Sequence, residues 1–299
     1  MIKVLITGAT GFVGKNLSPY LSKLEMQVEH FKRSELISNQ IIRDKAAIVH
    51  LAGKAHDLKN FSNPEEYYQV NFELTKKLYD EFLKSDCRKF IFISSVKAAA
   101  DQVDGVLTEE VLPAPITHYG RSKLMAEKYI QGQPLPEGKS YYILRPCMIH
   151  GPGNKGNLNL LYKFVQKGIP YPLASFKNKR SFLSVENLCF VIANLLKKDI
   201  PSGIYNIADD DALSTNEVVG ILAQSLNRES KLWAISPGII RGLAKVGDLL
   251  KLPLNSERLS KLTENYLVSN NKIKKAIGGH LPLKTNEGLR ITAKSFSNT

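Results

Sequence analysis

Tyr119 and Lys123, in the run Tyr119-Gly-Arg-Ser-Lys123, are the residues best suited by type and spacing to move a proton. At i and i+4 on a helix they share one face, a turn apart. A free phenol titrates at about 10, too high for a base near neutrality. A neighbouring ammonium favours the phenolate and lowers that value. Such a pair can take or deliver a hydroxyl proton, which is general acid/base work. The same spacing is common on solvated helix faces, so its meaning depends on what surrounds it.

A second constellation supplies that context. Gly8-Ala-Thr-Gly11-Phe-Val-Gly14 follows an apolar strand-like run and opens an amphipathic segment. Glycines there let the backbone turn tightly and approach a pyrophosphate, whose charge rests against free N–H groups at a helix N-terminus. Gly8, Thr10, Gly11, Phe12, Val13 and Gly14 are therefore expected to cradle a dinucleotide, with Gly14 allowing close helix–strand packing. An oxidised nicotinamide would add to the stabilisation of the Tyr119 phenolate. The end of the second strand chooses between cofactors: a carboxylate suits the 2′-hydroxyl of NAD, and Arg or Lys the 2′-phosphate of NADP. Phe31-Lys32-Arg33 has no carboxylate. Lys32 and Arg33 either grip a 2′-phosphate or lie as solvated charges beside an NAD site; NADP is the slightly favoured choice.

The elements that must position these residues alternate in the first half of the chain, as in an α/β fold with a doubly wound parallel sheet. Candidate strands are Lys3–Thr7, Gln27–Phe31, Ala47–Leu51, Phe90–Ser94 and Tyr141–Arg145. Their continuous apolar character suits strands covered on both faces. Phe12, Val13, Leu17, Leu21 and Leu24 recur at near-helical spacing, as do Tyr68, Phe72, Leu74, Leu78 and Phe82 within Glu65–Lys84. Too few residues separate Arg33 from Ala47 for a full crossover, so the third strand is expected to be reduced or its connection abbreviated. After Pro146 the texture changes to a Gly/Asn-rich loop and less regular fragments. The expected organisation is a dinucleotide-binding domain over residues 1–150, with 181–208 returning to it, and a smaller discontinuous α/β substrate domain from 151–180 and 209–299.

Composition limits the alternatives. With 299 residues, 43% hydrophobic and 23% charged, the chain has material for a large core and an ordinary globular makeup. Cys87, Cys147 and Cys189 are far apart and form no CxxC pair, which points to neither a disulfide framework nor a zinc site. The chain enters a strand from Met1, without a leader-like segment, and no apolar run reaches the roughly 18–20 residues of a spanning helix. A cytoplasmic protein with no transmembrane segment and no metal is expected. The net charge of +13 is scattered, with no basic tract interleaved with aromatics, so anionic small substrates rather than nucleic acid are the expected partners. Ser236–Leu252 is apolar and basic: it either lies on a membrane surface or packs its apolar side on the substrate domain, the latter being the favoured reading.

The GxxGxxG spacing resembles that of extended short-chain dehydrogenases/reductases, the NAD-dependent epimerase/dehydratase group. Val49-His-Leu-Ala-Gly53 resembles the family's HxAA-type stretch, which implies Leu51, Ala52 and Gly53 along the adenosine side, with Gly53 a departure from the usual small residue. Val70-Asn-Phe-Glu-Leu-Thr75 resembles VNxxGT, which implies that Asn71 holds a kink near the site. Arg145-Pro-Cys-Met-Ile-His-Gly-Pro-Gly153 resembles RPxxVYGPG, adding Pro146 to the cofactor side. The resemblance also gives Lys123 a second task, anchoring the nicotinamide ribose. It calls for a Ser or Thr after the strand at Ile93-Ser-Ser-Val-Lys97. Register selects Ser95, with Ser94 its alternative; both could instead serve only the strand terminus.

The likeness extends to a nucleotide-sugar branch, UDP-glucose 4-epimerases and their 4-keto reductase relatives. It implies a nucleotide-diphospho-sugar contacted by Ser95, by Asn157-Leu158 and by Arg180, whose guanidinium fork suits a diphosphate. Arg258 is a second candidate for that task, and Lys97 either touches substrate or points to solvent. Glu186-Asn187 stands where the family usually has Asp, and Asn286-Glu-Gly-Leu-Arg290 resembles a structural C-terminal stretch. The expected reaction is hydride transfer at C4 of the sugar, 4-keto reduction or 4-epimerisation, with Lys32-Arg33 tilting toward reduction. Dehydration ranks third because no acidic pair flanks Ser95, and a non-catalytic NAD(P) sensor ranks below it because Tyr119 and Lys123 are both present. A homodimer through paired helices is the family's common assembly and is expected here.

Overall fold

Alternation along the first strand sets the layers. Val4 and Ile6 enter one apolar cluster and Leu5 the other, so the sheet is covered on both faces. The computed structural model describes residues 1–31, 45–54, 63–154, 156–250 and 255–297. In it β1 (Lys3–Thr7) runs into α1 (Phe12–Lys23) and β2 (Gln27–Phe31). β3 (Ala47–His50) is followed by α2 (Pro64–Tyr68), a π turn over Gln69–Glu73, α3 (Leu74–Lys84) and β4 (Lys89–Ile93). After a 3-10 turn (Val96–Ala98) and β5 (Val106–Leu107), α4 (His118–Gly132) leads to β6 (Ser140–Pro146) and β7 (Met148–His150). Next come α5 (Asn157–Gln166), β8 (Arg180–Ser184), α6 (Val185–Lys197), β9 (Gly203–Ile207), β10 (Ala212–Leu213) and α7 (Thr215–Ser225). The last elements are α8 (Pro237–Leu250), α9 (Ser256–Thr263), β11 (Leu267–Val268), α10 (Asn271–Ile277) and α11 (Thr285–Ser297).

Six parallel strands form the main sheet in the order β2-β1-β3-β4-β6-β9. On one face Leu17 and Leu21 of α1 and Val191 and Leu195 of α6 pack on Val4, Ile6, Val49 and Ile91. On the other, Leu78 and Phe82 of α3 and Ile130 of α4 meet Leu5, Ile48, Phe90 and Phe92. The strands expected from sequence agree to within a residue at either end. The single helix expected over Glu65–Lys84 is interrupted by the π turn, which holds the fully buried Asn71. The abbreviated connection after Arg33 lies outside the described residues.

A third cluster, forming a second core away from the main sheet, joins Leu158 and Tyr162 of α5, Leu222 of α7, Ile240 and Ala244 of α8, Leu259 of α9 and Leu289 of α11. It sits beside the small sheet β10-β8-β7. α8 corrects the packed-helix expectation in part. Its buried residues are Ile240, Ala244 and Gly247, whereas Ile239, Leu243, Val246, Leu249 and Leu250 are exposed. Lys251 and Leu252, the end of that stretch, lie outside the described residues. Among the described residues no helix is long and apolar enough to cross a membrane.

Buried polar groups lock the small sheet to α6 and α11. Asn187 Nδ2 donates to Asp209 Oδ1 (2.7 Å) and to Leu283 O (2.9 Å), and its Oδ1 accepts from Leu283 N (3.0 Å). Asp209 also accepts from Ser184 N at 3.1 and 3.0 Å. Asn187, at the position where an acidic residue is expected, is thus the donor to a buried carboxylate, Asp209. Gly288 of α11 is pressed against this network: a Cβ there would lie 3.0 Å from Ser184 Cβ. Removing the amide leaves a buried carboxylate short of a donor and two Leu283 backbone groups unpaired. Asn187→Ala should therefore lose about 2–4 kcal/mol of unfolding free energy in urea titrations.

Candidate active site

The segments leaving β1, β3 and β4 open at the carboxyl edge of the main sheet, with β2 on one side of β1 and β3 on the other. Connections diverge at that point and leave a crevice, where open parallel sheets take their ligands. Gly8 has a φ of 72°, and a Cβ on it would fall 2.6 Å from Ala52 N. Gly14 is as confined, with a Cβ only 2.5 Å from Ala9 Cα. Gly11 caps α1 without a side-chain hydrogen bond, so the first-turn N–H groups of Phe12 and Val13 remain for an anion. Thr10 and Gly11 are exposed at the tip. A cradle that a single Cβ would obstruct fits the diphosphate of a dinucleotide. Lys32 and Arg33, the expected 2′-phosphate contacts, lie outside the described residues.

A directional hydrogen-bond chain ties this cradle to the rest of the site. Thr75 Oγ1 donates to Asn71 O (2.8 Å), so it must accept from His50 Nε2 (2.9 Å). Nδ1 of His50 is then the acceptor for Thr7 Oγ1 (2.7 Å), which itself accepts from Ala52 N (3.2 Å). Both ring nitrogens are satisfied only in the neutral tautomer. Burial lowers the His50 pKa to about 3, with the Lys123 charge a smaller push in the same direction. Asn71 continues the linkage: its Oδ1 accepts from Lys54 N (2.8 Å), and its Nδ2 donates to Lys54 O (3.1 Å) and Ser122 Oγ (3.1 Å). Gly53 explains its own departure from the family pattern. A Cβ there would stand 3.0 Å from both Lys123 Nζ and Asn71 Oδ1.

α4 carries Tyr119 and Lys123, the residues expected to transfer the proton. Thr117 caps it, accepting from Gly120 N (3.2 Å), and Asp101 holds Thr117 through its backbone N (3.1 Å) and Oγ1 (3.2 Å). Gly120 lets the helix press on the 3-10 turn: a Cβ would lie 2.3 Å from Lys97 O. That approach puts Tyr119 beside Ser95, and the two side chains hydrogen-bond. Ser94 is turned away, its hydroxyl donating to Glu127 Oε1 (2.5 Å). Burial raises the Tyr119 phenol above its ordinary value; the Ser95 bond opposes this, and Tyr67 adds to it. The protein's own groups therefore do not produce the lowering expected from sequence. Lys123 Nζ donates to Ile93 O (2.8 Å) rather than to the phenol. Burial brings its pKa down to about 8, with Glu127 pulling upward.

Other candidates occupy varied settings. Leu51 and Ala52 follow β3 half-buried, and Pro146 closes β6 in a buried position. Asn157 is exposed at the start of α5, whereas the Leu158 side chain sits in the second core, so a substrate role can involve only its backbone. Arg180 donates to Glu264 Oε1 (3.0 Å) and Lys261 O (3.1 Å). Lys97 Nζ donates to Asp101 O (2.7 Å) and lies 4.4 Å from the Tyr266 ring centroid, turned neither to open solvent nor left unpartnered. Arg258 is exposed on α9. Sequence reasoning gave no role to His50, Asp101, Gly120, Glu127 or Arg145. Glu127 was detectable, one turn beyond Lys123; it is fully buried and takes a bidentate pair from Arg145, Nε donating to Oε1 (3.0 Å) and Nη2 to Oε2 (2.5 Å).

Comparison with known proteins agrees with this geometry. Residues 4–208 match the model of the NAD dependent epimerase/dehydratase family. The UDP-glucose 4-epimerase of Vibrio cholerae is 31% identical, over 98% of this chain and 95% of its own length. The N-acetyl-alpha-D-glucosaminyl-diphospho-ditrans,octacis-undecaprenol 4-epimerase of Escherichia coli O157:H7 is 30% identical over 76% of this chain and 73% of that one. Among solved structures, UDP-N-acetylglucosamine 4-epimerase from Bacillus cereus superposes with a TM-score of 0.76 at 21% identity, covering 99% of this chain and 98% of the other. That likeness is one of fold.

The neutral His50 makes stability depend on acid in a defined direction. An unfolded imidazole gains a proton as pH falls below about 6.5, and the folded one does not until about 3. Its contribution is therefore complete above about pH 6.5 and drains away down to about pH 3. Between about pH 7 and about pH 4 the wild type should lose about 3 kcal/mol more unfolding free energy than His50→Gln, measured by urea unfolding at stepped pH.

Proposed function

The chain belongs to the NAD-dependent epimerase/dehydratase family, and on that premise we propose that it is a 4-epimerase of nucleotide-diphospho-sugars, with Tyr119 as general acid/base. As a member of that family it is an NAD(P)-dependent enzyme. The observation that carries the finer reading is one convergence: Ser95 and Tyr119 bonded to each other, with Lys123 on the same helix and the glycine cradle at the same sheet edge. Epimerisation is placed first because the likeness to a UDP-glucose 4-epimerase runs nearly end to end.

When bound, the dinucleotide would supply the hydride chemistry, which inverts C4 only if hydride leaves one face of the sugar and returns to the other. The glycine turn from Gly8 to Gly14 would hold its diphosphate, with Leu51, Ala52 and Gly53 along the adenosine and Asn71, Lys123 and Pro146 toward the nicotinamide. Tyr119 removes the 4-hydroxyl proton and later delivers it back to the same oxygen. Ser95 donates a hydrogen bond to that oxygen and holds the phenol in reach. Lys123 keeps a positive charge beside the phenolate, which burial otherwise disfavours. Arg180, its fork steadied by Glu264, and then Arg258 face the substrate diphosphate in this scheme, with Asn157 at the start of α5. The residues 151–180 and 209–299 form the substrate side and 1–150 with 181–208 the dinucleotide side. Lys97 serves to brace the 3-10 turn through Asp101.

A second reading, reduction of a 4-keto sugar with NADPH, is favoured by the basic pair Lys32-Arg33 following β2. The two separate in one experiment on the purified protein. Incubated with UDP-glucose, UDP-galactose and their N-acetylated counterparts, a 4-epimerase interconverts the sugars with no net change in nicotinamide absorbance. A reductase leaves them untouched and consumes NADPH in step with an added 4-keto sugar.

Tyr119→Phe should lower turnover by about 10²–10⁴-fold while dinucleotide affinity stays within a few-fold. Turnover that survives within a few-fold would remove Tyr119 from the role. Because the Lys123 ammonium is charged only below about pH 8, turnover should also fall as pH rises through that value.

A further inference from the structure

We propose that α8 is a peripheral docking face for an anionic lipid bilayer. The helix has three sides. Ile240, Ala244 and Gly247 are buried, the first two in the second core, and they fix the helix on the protein. Ile239, Leu243, Val246 and Leu250 follow one another at i, i+4, i+7 and i+11, a single stripe, and all four are exposed. Leu249 extends the apolar surface across the outer face at 81% exposure. Arg241 and Lys245, at i and i+4, are exposed on the other flank. A helix needs only its buried line to pack, so the stripe is surplus to folding.

Charge selects the occupant. The only acid on α8, Asp248, is engaged by Ser256 N (2.9 Å) and Ser256 Oγ (2.5 Å), so the outward charge of the helix is cationic. A second copy docked helix to helix would have to offer carboxylates to Arg241 and Lys245, and α8 itself carries only Asp248, already bonded to Ser256. An anionic headgroup layer offers both what the cations and what the apolar stripe require, and the net charge of +13 adds attraction at longer range.

Trp233 lies close to this helix in the chain. It stands four residues before α8 and is 58% exposed, next to the exposed Leu232. Its backbone is fixed, N donating to Tyr171 O at 2.8 Å. An indole held outward near the end of an apolar helix suits the bilayer interface. Because it is the sole tryptophan of the chain, its fluorescence reports on this face alone.

The test uses the full-length protein and sucrose-loaded vesicles, either of phosphatidylcholine or of phosphatidylcholine with phosphatidylglycerol. Expected is co-sedimentation with the anionic vesicles together with a blue shift of Trp233 emission. The double change Leu243→Glu and Leu249→Glu should abolish both while leaving sugar turnover and the thermal unfolding profile unchanged. Arg241→Gln with Lys245→Gln should weaken binding about tenfold or more at low salt, and added salt should weaken the wild type likewise. The proposal is overturned if the wild type ignores anionic vesicles, or if it binds them as well with the leucines replaced. It is equally overturned if the protein sediments as a dimer that the leucine changes dissolve, which would make a second copy the occupant. Turnover measured alongside keeps this outcome separate from the catalytic reading.

Discussion

A neutral imidazole at the end of β3 holds the candidate site together. His50 can satisfy its two neighbours in only one arrangement, accepting from Thr7 and donating to Thr75, because the Thr75 proton is committed to the Asn71 carbonyl. The chain of bonds runs from the segment facing the glycine turn to the π turn, so the spacing between these two structures is set by one ring. Its setting disfavours protonation down to about pH 3: burial penalises the charge, and a second N–H would displace the proton Thr7 donates to Nδ1. Asn71 then carries the constraint through Ser122 to the helix of Tyr119 and Lys123.

Close backbone approach is the complementary device. Gly8 against Ala52, Gly14 against Ala9, and Gly120 against Lys97 each occupy a place where a Cβ would collide with main chain. The first two bring strand and helix close together at the start of α1, where the first-turn N–H groups lie free of intrahelical partners. The third pushes the start of α4 onto the turn carrying Ser95. Positioning of the phenol thus follows from the lack of a side chain beside it.

Charge inside the site is arranged in series. Lys123 is buried and gives up part of its basicity, which Glu127 partly restores from one turn away. Glu127 is in turn compensated by Arg145 and by the Ser94 hydroxyl. Interactions among such groups are strengthened by the surrounding apolar side chains. The series also separates the duties of adjacent serines: Ser94 belongs to the buried ion pair and Ser95 to the phenol. The outer face of α8 shows the opposite economy, apolar groups kept in water where the core has no need of them.

The sequence by itself determined the layers and the cradle. Short continuous apolar runs, the glycine spacing and the YxxxK pair are local patterns, set by burial on both sheet faces, the backbone turn and the helix rise, so strands such as Lys3–Thr7 and Gln27–Phe31 could be bounded to the residue. Tertiary structure decided everything that depends on which distant groups meet. The burial of Asn71 in a π turn, the bond of Ser94 to Glu127, the pairing of Arg180 with Glu264, and the bond of Asn187 to Asp209 all depend on residues far apart in the chain. Sequence periodicity also could not say which apolar side of α8 is buried. A helix with apolar residues around much of its circumference presents more than one candidate face, and only the core it packs against selects among them.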